Sequence, residues 1–238
     1  MAKHGKRYDD AKAQINPEGN YHPLEAFRLL VSQEVARFDT TVEAHFRLGV
    51  NVRHAEEQLR GTIALPHGTG RAVTVAVFAE GEKAREAEEA GAQIVGGEDL
   101  VKRVEEGFSD FDVAIATPDM MGAVGRLGRV LGPSGKMPNP KTGTVTMDIR
   151  KAVEDIKSGK IEYRTDRTGI VHVPLGKKSF GAEALGENYA TVLEEILRAK
   201  PSSAKGRYIK TVVLSSTMGP GIKIDPSRVR DVLEEQNA

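Results

Sequence analysis

The sequence predicts two kinds of fold in one chain: an α+β domain built from residues 1–67 and 160–238, interrupted by an inserted three-layer α/β domain over residues 68–159. Three observations lead there. Strand-like segments in the first and last thirds alternate polar and apolar residues, as in a sheet with one covered face. Those in the middle third are continuously apolar and alternate with helical stretches, as in a parallel sheet covered on both faces. Neither end third carries enough strands to close a core alone, so the two ends must combine.

In chain order, residues 22–37 predict an amphipathic helix. Pro23 suits its first turn, and Leu24, Phe27, Leu30, Val31 and Val35 make one stripe. The period then becomes two. Thr41, Glu43, His45 and Arg47 alternate with Val42, Ala44, Phe46 and Leu48, so a strand with the polar four on its open face is expected. Residues 61–65 add a short strand. The segment 66–70, Pro-His-Gly-Thr-Gly, breaks the pattern and, with residues 158–160, marks the two crossings of a double hinge. Next come a buried strand over 72–78, a helix over 82–90 closed by Gly91, and a strand over 92–95. A helix over 98–106 closed by Gly107, a strand over 112–116, and helices over 119–127 and 148–157 complete the middle. Such alternation implies right-handed crossovers in a mostly parallel, Rossmann-like sheet. Past Gly159, residues 161–164 and 170–173 predict a hairpin around Asp166-Arg167-Thr168-Gly169. A long helix follows with Leu185, Tyr189, Val192, Leu193, Ile196 and Leu197 on one face. The chain then runs through a strand over 208–214, a turn-rich segment, a strand over 222–224 and a last helix begun by Asp225-Pro226.

Composition narrows the function. Of 238 residues, 39% are hydrophobic, enough to build a core, and no stretch of about 18 apolar residues predicts a membrane span. There is no cysteine, which removes disulfides and thiolate metal sites and fits a reducing cytoplasm. The basic start, Lys3 to Arg7, lacks the apolar stretch of a signal peptide. Net charge is zero, with 34 basic and 34 acidic residues, but it is unevenly spread. Residues 68–159 hold 12 basic and 15 acidic residues, and the remainder holds 22 and 19. Basic clusters stand at Lys3 to Arg7, at Lys177-Lys178, and at Lys205, Arg207 and Lys210.

Catalytic signatures are missing from the sequence. No G-x-G-x-x-G follows the strand at 72–78, and Ala79-Glu80-Gly81-Glu82 puts acid where a pyrophosphate would sit. Gly132 to Met137 contains a Gly-Lys pair without P-loop spacing. The six histidines are scattered and show no metal-ligand spacing. Ser215 and Ser216 lack a nucleophile-elbow context. No cofactor is expected. What does stand out is Ser215-Ser216-Thr217-Met218-Gly219-Pro220-Gly221 at a strand end: hydroxyls, bare backbone and one flexible apolar side chain, a surface suited to RNA. A second basic segment, with Arg126, Arg129, Lys136 and Lys141 around Pro133, Pro138 and Pro140, suits a further RNA partner.

Several motifs together resemble one family, the bacterial large-subunit ribosomal protein numbered one, which sits on the ribosome's mobile side stalk. They are Phe38-Asp39-Thr40-Thr41-Val42-Glu43, Arg60-Gly61-Thr62 with Leu65 to Gly70, and Glu88 to Ala92. Ala116-Thr117-Pro118-Asp119-Met120-Met121, Leu131 to Lys141, Arg164 to Gly169, Gly176 to Phe180 and Ser215 to Pro220 complete the set. The resemblance implies two domains joined by a hinge, the second inserted into the first. It implies a non-enzymatic protein that binds large-subunit ribosomal RNA, helps release deacylated tRNA from the exit site, and represses translation of its own operon mRNA. It further implies a monomer within the large ribosomal subunit, in the cytoplasm. RNA contacts then fall on Phe38, Thr41 and Glu43, on Arg164, Asp166 and Thr168, and on Thr217, Met218 and Gly219. Many relatives are basic, whereas this chain is neutral. The competing readings are a nucleotide-dependent enzyme with a Rossmann-like middle domain and a protein–protein scaffold.

Overall fold

The computed structural model describes residues 5–17 and 19–228. The chain begins with α1 (Lys6–Ala13), α2 (Pro23–Ser32), β1 (Thr41–Leu48) and β2 (Arg60–Ala64). It continues with β3 (Val75–Phe78), α3 (Glu82–Glu89), β4 (Ile94–Gly96), α4 (Glu98–Glu105) and β5 (Val113–Ala116). Then come α5 (Met121–Val124), α6 (Gly128–Leu131), α7 (Ile149–Lys157), β6 (Lys160–Arg164), β7 (Ile170–Lys177), α8 (Gly181–Arg198), β8 (Ile209–Ser216) and β9 (Ile222–Ile224). Packing divides the chain into two compact units, Met1–Gly70 with Ile161–Ala238, and Arg71–Lys160.

The first unit is built on a four-stranded antiparallel sheet in the order β7-β1-β8-β9. Its central strand β1 alternates as expected: Val42, Ala44, Phe46 and Leu48 are buried, whereas Thr41, Glu43, His45 and Arg47 are not. The buried set meets α2 and α8, whose apolar stripes include Phe27, Leu30, Leu185, Tyr189 and Val192. Tyr189 lies at the centre, stacked on Phe46 at 5.7 Å and edge-on to Phe27 at 5.7 Å. Among the described residues, no helix packs on the opposite face of β1. A second, two-stranded sheet pairs β2 with β6.

In the second unit, β3 lies between β4 and β5, all parallel. Alternate residues of β3 feed two cores. Ala76 and Phe78 join Leu100, Val104 and Leu127 on one face, and Val75 and Val77 join Ala87, Ile149 and Val153 on the other. That is why the strand reads as an unbroken apolar run. Asp148 caps α7 by accepting from Lys151 N at 3.3 Å.

Four expectations need correction. The helix over 22–37 ends at Ser32, because Gln33 turns extended and is held from two sides. Its Nε2 donates to Ala11 O at 3.3 Å and its carbonyl accepts from Lys178 Nζ at 2.6 Å. The helix over 119–127 is broken into 3-10 turns at Pro118–Met120 and Gly125–Leu127 around the short α5 and α6. Glycines at 122, 125 and 128 supply no side chain to favour a continuous α-helix. The hairpin around 166–169 is a turn between different sheets: β6 pairs with β2 and β7 with β1, leaving one isolated bridge, Thr165 to Val171. Finally, β8 runs on through Ser216, so Ser215 and Ser216 are strand residues opposite Glu43 and Val42. The last helix, from Asp225-Pro226, lies outside the described residues beyond Arg228.

Candidate nucleic-acid interface

Register brings the open-face residues into rows. Glu43 stands opposite Pro174 on β7 and Ser215 on β8. His45 stands opposite His172 and Val213, and Val213 opposite Lys223 on β9. Arg47 stands opposite Ile170 and Thr211. At the end of the sheet the turn after β8 is tied to the start of β1. Thr41 N donates to Thr217 Oγ1 at 3.1 Å, and Thr217 N donates to Thr41 O at 3.1 Å. The Thr217 hydroxyl thus works as a backbone partner, and it holds Met218 outward at 58% exposure. Gly219 N donates to Ser216 O at 2.9 Å, and a Cβ at Gly219 would collide with Ser216 Oγ, so a side chain there requires the Ser216 hydroxyl to rotate away.

Phe38, also 58% exposed, sits in the loop between α2 and β1. That loop is clamped from β7 and the residues after it. Lys178 N donates to Thr40 O at 2.9 Å, Ser179 N and Oγ donate to the Asp39 carboxylate at 3.1 and 2.6 Å, and Lys177 Nζ donates to Thr41 Oγ1 at 3.0 Å. The Lys177-Lys178 cluster therefore holds the protein's own loop in place, a role that cluster composition does not reveal.

Asp166 organises the turn that carries Thr168. Its carboxylate accepts from Ile170 N at 2.7 Å, from Thr168 N at 2.8 Å and from the Thr168 hydroxyl at 2.7 and 2.8 Å. Gly169 completes the turn at φ 78°. Desolvation pushes the Asp166 pKa up, but the bonds from Ile170 and Thr168, with His172, outweigh it and bring it down to about 2 from 3.8. A carboxyl lowered on folding stabilises the fold above its unfolded value, and that stability is lost as pH falls from about 4 towards 2. Asp166→Ala should remove this acid-sensitive increment and cost about 1 kcal/mol at neutral pH. Thermal melts of both proteins between pH 2 and 7 check it: the two curves should converge at the acid end.

Beside this turn a polar chain crosses the sheet. His172 Nε2 lies 3.6 Å from Asp166 Oδ2, His172 Nδ1 lies 2.9 Å from His45 Nδ1, and His45 Nε2 lies 2.9 Å from Ser215 Oγ. Two facing Nδ1 atoms need one proton between them. With both rings neutral, one arrangement satisfies every group. Ser215 donates to His45 Nε2, His45 Nδ1 donates to His172 Nδ1, and the His172 Nε2 hydrogen faces the carboxylate. Burial and then His172 lower the His45 pKa, with Glu43 acting in the opposite direction.

Of the nine residues singled out from the sequence, Thr41, Glu43 and Thr217 share one edge of the open face, with Met218 and Gly219 in the turn beyond. Asp166 and Thr168 reach the same face through His172 and His45. Phe38 lies three residues before β1, and Arg164 is exposed at the end of β6. Sequence reasoning missed His45, His172 and Ser215 as a connected set, because 127 and 170 residues separate the bonded partners. In the second unit, Glu80 lies against Gly97, the residue before α4, and Asp99 Oδ1 accepts from Gly97 N at 2.9 Å. Two carboxylates at that helix N-terminus disfavour a nucleotide phosphate there.

Among the described residues no helix is long and apolar enough to cross a membrane. The sequence model of the Ribosomal protein L1p/L10e family matches residues 30–220, a span that includes β1, all of the second unit, most of the first and the Thr217-Met218-Gly219 turn. A match over so much of the chain, on top of an uncovered polar sheet face, makes this a ribosomal protein associated with the ribosome and its RNA: the chain belongs to the Ribosomal protein L1p/L10e family.

Proposed function

We propose that the protein binds large-subunit ribosomal RNA on the side stalk through the open face of the β7-β1-β8-β9 sheet, without catalysis and without a cofactor. RNA contacts are made by Phe38, Thr41, Glu43, Arg164, Asp166, Thr168, Thr217, Met218 and Gly219. The observation that carries this reading is the pair of outward apolar side chains, Phe38 and Met218, flanking the Thr41–Thr217 clamp. An exposed aromatic held by a hydrogen-bonded loop offers a stacking platform for an unpaired base, and the hydroxyls beside it suit ribose 2′-hydroxyls. Glu43 accepts from base or ribose donors, since phosphate would repel it. In this reading residues 1–67 with 160–238 form the RNA-binding domain, and residues 68–159 form a hinged, inserted Rossmann-like domain. The protein also assists release of deacylated tRNA from the exit site and, by binding a mimic of its ribosomal site, represses its own operon mRNA.

The test is recovery of RNA. The immobilised full chain, incubated in cell lysate, should enrich one segment of large-subunit ribosomal RNA and one messenger leader on sequencing. Affinity for that segment should fall as salt rises, by about 0.7–0.9 log units per phosphate contact for each log unit of salt. A failure to enrich RNA above background, together with saturable ATP or NAD binding, would restore the nucleotide-enzyme reading.

A further inference from the structure

A cavity of about 250 Å³ opens beside the 166–169 turn, and three arginines line it. Arg53 comes from the loop after β1, Arg164 from the end of β6, and Arg167 from the turn itself. Elsewhere arginines find acids: Arg60 pairs with Glu162, Arg71 with Asp112 and Arg150 with Glu89. The guanidinium groups of Arg53, Arg164 and Arg167 have no ion pair or hydrogen bond among the described residues. The only carboxylate in the lining is Asp166, and its oxygens are already occupied by Thr168 and Ile170. Gln58 is engaged as well, its Nε2 donating to Val52 O at 2.9 Å.

Three like charges line one hollow, and the single Asp166 carboxylate offsets only one of them. An anion would offset the others. Guanidinium forks match phosphate oxygens in pairs, which a lone ammonium cannot do. The hollow adjoins the turn that carries Thr168, on the flank of the proposed RNA face.

We propose that Arg53, Arg164 and Arg167 form a phosphate clamp that seats one phosphodiester of the bound RNA, which makes Arg53 and Arg167 binding residues alongside Arg164. The clamp rests on the RNA-binding reading. It fixes the register of the RNA against the open face and carries no base preference, as phosphate contacts do.

The test uses the full chain, purified large-subunit ribosomal RNA and two double variants, Arg53→Gln/Arg167→Gln and Arg53→Lys/Arg167→Lys. The glutamine pair should bind about tenfold more weakly than the parent. Its plot of log affinity against log salt should be shallower by about 0.7–0.9, one phosphate contact. The lysine pair, which keeps the charge, should retain the parent's salt slope while losing part of the affinity. Neither variant should melt below the parent, since the replaced side chains make no ion pair or hydrogen bond among the described residues and the glutamine pair removes like charges. If the parent binds and the glutamine pair matches it in affinity and slope, the clamp is wrong and the open-face reading stands. Failure of the parent itself to bind the RNA removes both. Inorganic phosphate is titrated in parallel. A tight phosphate site lost in the glutamine pair with RNA binding unchanged would assign the hollow to free phosphate and overturn the proposal.

Discussion

Phe38→Ala should weaken RNA binding by about fivefold to 150-fold, the 1–3 kcal/mol that a base stacked on an aromatic ring is worth, and leave the melting temperature unchanged. Both halves follow from its placement. The ring is 58% exposed, so its removal opens no cavity in the free protein. Its loop is held by hydrogen bonds from Ser179 and Lys178 to Asp39, Thr40 and Gln33, none of which uses the Phe38 side chain. Met218→Ala should act in the same direction with a smaller loss, about 1–2 kcal/mol of apolar contact. Binding titrations paired with thermal melts separate this from unfolding. A Phe38→Ala protein that melts normally and binds RNA at full strength would remove the ring from the interface.

Phe46→Ala should cost about 3–5 kcal/mol of stability, the largest effect expected of any single change in the first unit. Phe46 is fully buried on the central strand, and its ring stacks on Tyr189 of α8 at 5.7 Å. Truncation leaves a cavity between sheet and helices that Phe27, Tyr189 and Val192 cannot fill without moving. The same strand carries Glu43 and His45 on its other face, so RNA binding should weaken in parallel. Tyr189→Phe is the control. The Tyr189 hydroxyl is buried without a hydrogen-bond partner among the described residues, so its removal should be neutral or stabilising. Urea unfolding measures both. A Phe46→Ala loss below about 1 kcal/mol would mean that the sheet and α8 are not tightly packed there.

The period-two strand β1 was legible because one of its faces is buried against helices and, among the described residues, the other is not, and alternation records that difference directly. The unbroken run of β3 recorded two covered faces in the same way. What stayed hidden was set by partners distant in the chain. Nothing near Gln33 announces that Lys178 will pull it out of α2. The turn residues Asp166 to Gly169 announced a turn, yet which strand each arm joins depended on β1 and β2, more than 100 residues earlier. In the candidate site, residue type pointed to the segment Ser215 to Gly221, and only the family resemblance singled out Thr217, Met218 and Gly219 within it. The His172–His45–Ser215 chain exists only through strand register, which no local pattern encodes.

The clamp between Thr41 and Thr217 joins residues 176 positions apart. A nascent chain elongating at about 5–20 residues per second therefore makes Thr41 about 10–35 s before its partner exists. Through that interval β1 has no β8 to pair with, and the part of its apolar face that α8 covers has no partner. Residues 71–160 are contiguous and are complete well before that, so they are free to settle first. If RNA is gripped at the proposed face, that grip arrives last, and a polypeptide terminated before Thr217 cannot compete with finished copies for the same nucleic acid.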